Sequence, residues 1–236
     1  MTAAVYIVGG TNRTHEELRF SLRSLANCPD ITSVWVVGQV PEWVTGVRKI
    51  ELDPAPEKFA NMRQSLTAFA NTKGAPKRFY LFNEDHYIVE PIEGEIPTFH
   101  LGPAIQYITA DHVWRPKNTW CHAVLKTAEW LRDEDGQEPL AYEAHTPLLL
   151  DRTKVAAFLD EYPADRPLAM SMVYARAGIG GEGVDAGNAK VGVDSVLADK
   201  LAQDMPLLSG NQATFDGELG DLLRGMFPEP CKYERG

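Results

Sequence analysis

The sequence predicts an α/β protein with a mostly parallel sheet flanked by helices, and three short apolar runs carry that prediction. Val5-Tyr6-Ile7-Val8, Val34-Trp35-Val36-Val37 and Phe79-Tyr80-Leu81-Phe82 are continuous, rich in β-branched and aromatic side chains, and suited to strands buried on both faces. Helical periodicity fills the intervals between them. A strand, helix, strand, helix, strand order at this spacing marks parallel strands joined by crossover helices.

Taken in order, the first run ends in Gly9-Gly10, which predicts a tight turn. Thr14-His15-Glu16-Glu17 is a capping-box pattern, with Thr at the N-cap and Glu at the third helical position. Leu18, Leu22 and Leu25 follow at helical spacing, so residues 14–27 are expected to be a helix. Gly38 closes the second strand, and Pro41-Glu42-Trp43 lies in the loop after it. Phe59, Met62, Leu66 and Phe69 mark a second amphipathic helix. Ile105-Gln106-Tyr107-Ile108-Thr109 reads as a further strand, and residues 122–132 and 153–161 as helices. Gly178 to Gly192 is glycine-rich and expected to be a mobile loop. Residues 216–226 form a last helix, stopped by Pro228 and Pro230. The expected organisation is one domain over 1–236, with residues 164–236 as a loop-rich C-terminal extension.

The 236 residues suit one large domain that buries its core without staples. A net charge of −10 speaks against a nucleic-acid partner, although a local basic groove stays open. The three cysteines, Cys28, Cys121 and Cys231, are far apart, which gives no disulfide framework or zinc spacing and fits a reducing cytoplasm. The N-terminus has no basic segment ahead of its strand, and no apolar run approaches the roughly 18 residues that span a bilayer. A cytoplasmic protein with no membrane partner is therefore expected.

The third strand ends in Asn83-Glu84-Asp85-His86. In open parallel sheets ligands sit beyond the carboxyl ends of the strands. Two adjacent carboxylates there are costly unless something positive uses them. Glu84 and Asp85 suit a magnesium or manganese ion that bridges to a diphosphate. One of them could instead take a proton from an attacking hydroxyl; a solvated turn is the alternative. Gly9-Gly10-Thr11-Asn12, between strand and helix, can offer N–H groups to a phosphate, or be a plain turn, since it matches neither a dinucleotide nor a Walker loop. His145 precedes Thr146-Pro147, which holds the chain extended. It is a candidate acid or phosphate contact, with a structural histidine as the alternative. Arg63, Arg115, Lys117 and Arg176 are candidate diphosphate contacts. Trp43, Trp114 and Trp120 read as loop or core anchors rather than sugar platforms.

His15-Glu16-Glu17-Leu18-Arg19-Phe20-Ser21-Leu22-Arg23-Ser24-Leu25 resembles the "EELRYSLRSI" stretch of the Stealth family of sugar-1-phosphate transferases. The agreement runs on in order. Val5 to Asn12 resembles "VYTWVNGTD", Gln39 to Trp43 "GQVPxWL", and Phe79 to Asp85 "FLYFNDD". Trp120 to Leu131 resembles "NWxxSLxxTxxLL", and Ala144 to Arg152 "AHMPHMIDR". The resemblance covers roughly residues 4–163. It implies a GT-A-like, Rossmann-like core and transfer of a sugar-1-phosphate from a nucleotide sugar to an acceptor hydroxyl, with a divalent metal. The family's essential Asp and His correspond to Asp85 and His145.

The sequence departs from the family at several points. Ala3 or Ala4 stands in place of an Asp, Glu84 is the middle acidic residue, Leu148 replaces a second His, and the aromatic final block is missing. The compact length resembles small phage-encoded glycosyltransferases, whose setting would be the host cytoplasm, and plain glycosyl transfer stays open as the alternative reaction.

The expected mechanism places the nucleotide sugar, a UDP-sugar first among candidates, on Gly9, Gly10, Thr11, Asn12, Arg63 and Asn83. Mg2+ or Mn2+ sits on Glu84 and Asp85, Asp85 takes the acceptor's proton, and His145 stabilises charge on phosphate oxygens. The acceptor stays open, with a glycan and modified DNA as candidates. Two rival readings are a phage DNA glycosyltransferase acting on a hydroxymethylated base, and a nucleotide-sugar-binding module without catalysis.

Overall fold

The structure is a computed structural model that describes residues 2–9, 15–203 and 205–235. The five-stranded central sheet has the order β3-β2-β1-β4-β7. It is formed by β1 (Thr2–Val8), β2 (Ile31–Gly38), β3 (Arg48–Glu51), β4 (Arg78–Phe82) and β7 (Leu148–Asp151). The first four strands are mutually parallel, and only β7 runs antiparallel, against β4. The protein is thus mixed α/β with a mostly parallel sheet, as the three apolar runs predict.

Side chains alternate across each strand, so the runs feed two cores. Ala3, Val5, Ile7, Trp35, Val37, Phe79, Leu81, Leu148 and Leu150 line one face. That face is covered by α2 (Lys58–Asn71), α4 (Thr119–Asp135) and α5 (Arg152–Glu161). Ala4, Tyr6, Val8, Val34, Val36, Tyr80, Phe82 and Leu149 line the other. There α1 (Glu16–Ser24) packs Leu18 and Leu22, with Leu25 just beyond its end. Burial on both faces is what makes these strands read as unbroken apolar runs.

Two smaller strand pairs complete the fold. The first is β5 (His86–Ile88) with β9 (Leu207–Ser209), antiparallel; the second is β6 (Phe99–His100) with β8 (Val184–Asp185), parallel. The remaining helices are α3 (Ala104–Thr109), α6 (Tyr174–Ala177), α7 (Leu197–Leu201), α8 (Gln212–Phe215) and α9 (Glu218–Met226).

Three sequence expectations change. The segment 105–109 is a helix, not a strand. Ala104 and Ile108 bury themselves at an i, i+4 spacing, and the Glu138 carboxylate accepts the N–H groups of Ile105 and Gln106, which a first helical turn leaves open. The helix expected over 14–27 starts at Glu16 after His15, and Thr14 lies outside the described residues. The glycine-rich segment 178–192 is stitched down rather than free. Its N–H groups at Val184, Ala186, Ala189 and Val191 donate to the carbonyls of Thr98, His100, Ala144 and Ser209 at 2.8–3.2 Å. The glycines allow this close packing: a Cβ at Gly183 would stand 2.7 Å from the Thr98 carbonyl oxygen.

Candidate active site

β1 has β2 on one side and β4 on the other. The chain therefore leaves β1 in one direction and returns on its opposite flank, and at such a switch point a crevice opens beyond the strands' carboxyl ends. Val8-Gly9, Gly38 and Asn83-Glu84-Asp85 end the three strands there. Gly38 has φ 112°, and a Cβ on it would collide with the Val8 carbonyl oxygen. Glycine is what lets the ends of β1 and β2 come together. Of the predicted nucleotide turn, Gly9 is half-buried at this edge, while Gly10, Thr11 and Asn12 lie outside the described residues.

The acidic turn is held from three sides. Asn83 donates its N–H to His86 Nδ1 at 3.3 Å, and Asn83's carbonyl accepts the His86 N–H at 3.3 Å. Helix α1 and the turn that follows it then fix β5. Ser21 Oγ donates to the His86 carbonyl, Ser24 Oγ accepts the Ile88 N–H at 3.1 Å, and Asn27 Nδ2 donates to the Ile88 carbonyl at 2.8 Å. The pairing of β5 with β9 sets His86 opposite Ser209. Ser209 Oγ accordingly donates to the Asp85 carboxylate at 3.2 Å. Glu84 lies 3.6 Å from His15 Nδ1, at the start of α1.

His145 reaches the same place from the loop ahead of β7. Among the described residues only two non-glycine residues have positive φ, His15 at 51° and His145 at 54°, and both belong to this cluster. Left-handed backbone at a non-glycine residue is uncommon and gathers where geometry serves a site. His145 Nδ1 is 3.0 Å from Asn188 Oδ1. Residues 188–191 run extended between the His145 loop and β9, with Ala189 N–H on Ala144, Ser209 N–H on Ala189 and Val191 N–H on Ser209. This ladder draws the partner of Asp85 and the partner of His145 into one layer.

Burial pushes the His145 imidazole down to about 4; Lys190 and His86 add to this, while Asp85 pulls the other way. Burial, then Lys190, pushes His86 down to about 3. Both rings are therefore neutral at pH 7. Burial, followed by Glu17, Asp85 and Glu84, raises the Tyr87 phenol. Glu143, two residues before His145, is raised by burial against hydrogen bonds from Ser171 Oγ and from Trp120 Nε1, the latter at 3.0 Å.

Among the described residues no three His, Cys, Asp or Glu side chains converge as a metal-ligand set. Glu84 and Asp85 nonetheless fit a hard divalent cation. Both residues are half-buried, Glu84 Oε2 has no hydrogen bond among the described residues, and magnesium needs only one or two carboxylates beside substrate phosphates.

Three of the predicted cationic contacts bond groups of the protein itself. Arg63 donates to the carbonyls of Leu159, Tyr162 and Pro163 at 2.6–2.8 Å, closing the carboxyl end of α5. Arg176 pairs with Asp135 and Glu161, and Arg115 bonds the carbonyls of Asp111 and Trp114. Lys190, Asn188 and Ser209 enter the site instead. No motif announces them, because they lie more than 40 residues from their partners and are joined to them only by strand pairing. The glycine-rich run ahead of Asn188 was the local signal.

No protein-family model and no curated protein matches the sequence. Solved structures do align with it. A 4-diphosphocytidyl-2C-methyl-D-erythritol synthase from Anaerococcus prevotii matches at 9% identity with a TM-score of 0.38, covering 76% of this chain and 92% of that one. A Drosophila beta-1,4-galactosyltransferase 7 mutant, in complex with manganese, UDP-Gal and xylobiose, matches at 11% identity with a TM-score of 0.25, covering 42% of this chain and 40% of that one. Neither likeness carries an argument about activity.

Proposed function

We propose that the protein is a nucleotide-sugar-dependent transferase that moves a sugar or sugar-1-phosphate to an acceptor hydroxyl. The observation that carries the proposal is the meeting of Asp85 and His145 in one half-buried cluster at the switch point of the sheet. Two groups from separate segments, a carboxyl group and a neutral imidazole, stand where a donor's reactive end would lie. The ordered resemblance of the surrounding motifs to the Stealth family supports the substrate class.

In this reading the nucleotide lies along the ends of β1 and β2, near Gly9 and Gly38, and Asn83 borders it. Glu84 and Asp85 would hold a magnesium or manganese ion, which neutralises diphosphate charge when bound. The Asp85–His145 pair takes the proton of the acceptor hydroxyl. The freed oxygen pair then forms the new bond. In glycosyl transfer it attacks the anomeric carbon and a nucleoside diphosphate leaves with its bonding electrons. In phosphotransfer it attacks the sugar-bearing phosphorus and a nucleoside monophosphate leaves. Lys190, whose field reaches both histidines, offers the positive charge that a departing phosphate needs.

A thermal-shift screen of nucleotide sugars, each with and without Mg2+ or Mn2+, tests the donor assignment, because a ligand of the folded state alone raises its stability by mass action. With the donor found, Asp85→Asn should lower turnover by about 10³ or more and keep donor affinity within severalfold. Unchanged turnover removes Asp85 from the chemistry, and retained binding with no turnover in the native protein identifies a binding module.

A further inference from the structure

Asn188 has no place in the reaction as read from sequence, yet it bonds His145, Lys190, Glu143 and Lys200. Its Oδ1 accepts the Lys190 backbone N–H at 2.9 Å, and its Nδ2 donates to the Glu143 carbonyl at 3.4 Å. A backbone N–H can only donate and a carbonyl can only accept, so these two contacts fix which end of the amide is oxygen. The Lys200 ammonium anchors the same residue by donating to its carbonyl at 2.7 Å. His145 Nδ1, 3.0 Å from that oriented oxygen, must therefore carry the ring proton and donate it. In the neutral ring the lone pair then lies on Nε2, which has no hydrogen-bond partner among the described residues.

We infer that Asn188 is a positioning residue that locks His145 as its Nδ1–H tautomer, and that the Nε2 lone pair so exposed is the proton acceptor of the site. The tautomer stands on the hydrogen bonds alone; its chemical use rests on the transferase reading above. The inference exchanges two roles expected from sequence. A bare Nε2 cannot donate to phosphate oxygens, so charge stabilisation passes to Lys190. The acceptor's proton moves to Nε2 while the acceptor oxygen forms its bond, and the charge of Asp85 favours the imidazolium so made.

The test uses the full chain labelled with 15N-histidine, in long-range 1H–15N correlation spectra at neutral pH, with the His145 signals assigned by their loss in His145→Gln. The native protein should show a protonated-type shift at Nδ1 and a bare-type shift at Nε2. Asn188→Asp keeps the acceptor oxygen and should keep that pattern. Asn188→Leu should move the proton to Nε2. A native ring protonated at Nε2, or an unchanged pattern in Asn188→Leu, overturns the inference. With a donor in hand, Asn188→Leu should lower kcat at least about 100-fold with KM within about threefold, and Asn188→Asp should restore most of it. The expected spectra with undiminished kcat in Asn188→Leu overturn the role of Nε2 as base. The expected spectra with no turnover in the native protein uphold the tautomer and overturn the transferase reading.

Discussion

Glu234 offers the most quantitative test of how this fold is held. Its carboxylate is 1% exposed and accepts four hydrogen bonds. Arg23 grips it as a fork, Nε on one oxygen at 2.7 Å and Nη2 on the other at 2.8 Å; Arg19 Nη1 adds a contact at 2.8 Å and the Cys231 N–H one at 2.9 Å. Burial alone would raise the carboxyl. The bonds from Arg23, from the Cys231 N–H and from Arg19 outweigh it and hold it at about 2, against an ordinary 4.5. A carboxyl depressed in the folded state adds stability that is complete above its unfolded value and is lost as pH falls through its folded one. At about 1.4 kcal/mol per pH unit the displacement is worth about 3 kcal/mol at pH 7 and roughly 1.5 kcal/mol at pH 3. Glu234→Gln should therefore cost about 3 kcal/mol at pH 7, or about 6–12 °C in Tm for a chain of this size. Urea melts of both proteins at pH 7 and pH 3 measure the gap, which should close by about half. A pH 7 gap below about 1 kcal/mol, or one that does not change with pH, refutes the reasoning.

Further outcomes follow from single contacts. Gly38→Ala places a Cβ against the Val8 carbonyl at φ 112° and should destabilise the protein by at least about 1–3 kcal/mol in the same melts. Arg63→Ala strips three carbonyls at the end of α5 and should cost about 1–3 kcal/mol while leaving donor affinity, measured by calorimetry, as it was. A loss of affinity in that variant would return Arg63 to the nucleotide site. Ser209→Ala removes the hydrogen bond to Asp85 and should lower kcat about tenfold with little change in KM, read from initial rates against donor concentration.

The family-like stretch from His15 to Leu25 shows how differently its residues can be read. Leu18 and Leu22 were legible as core from their spacing alone, because helical periodicity is local information. Arg19 and Arg23 gave no sign that they close on a carboxylate more than 200 residues away. Ser21 and Ser24 gave none that they bond the backbone of β5. The acidic turn was legible for a similar reason: a buried run that stops at two carboxylates says where a strand ends and what stands there. The segment 105–109 was misread because five residues fit both periods, and the choice fell to Glu138, whose carboxylate caps the helix from a distance.

By itself, then, the sequence determined the three central strands and the two crossover helices, since each rests on periodicity or on residues adjacent in the chain. Only the tertiary structure decided what surrounds Asp85 and His145. The order of β1 between β2 and β4 opens the crevice, the pairing of β5 with β9 brings Ser209 to Asp85, and the stitched loop brings Asn188 to His145. Such contacts join residues from 40 to more than 120 positions apart, and they exist because backbone hydrogen bonds must be satisfied across strands, a requirement that leaves almost no trace in local composition.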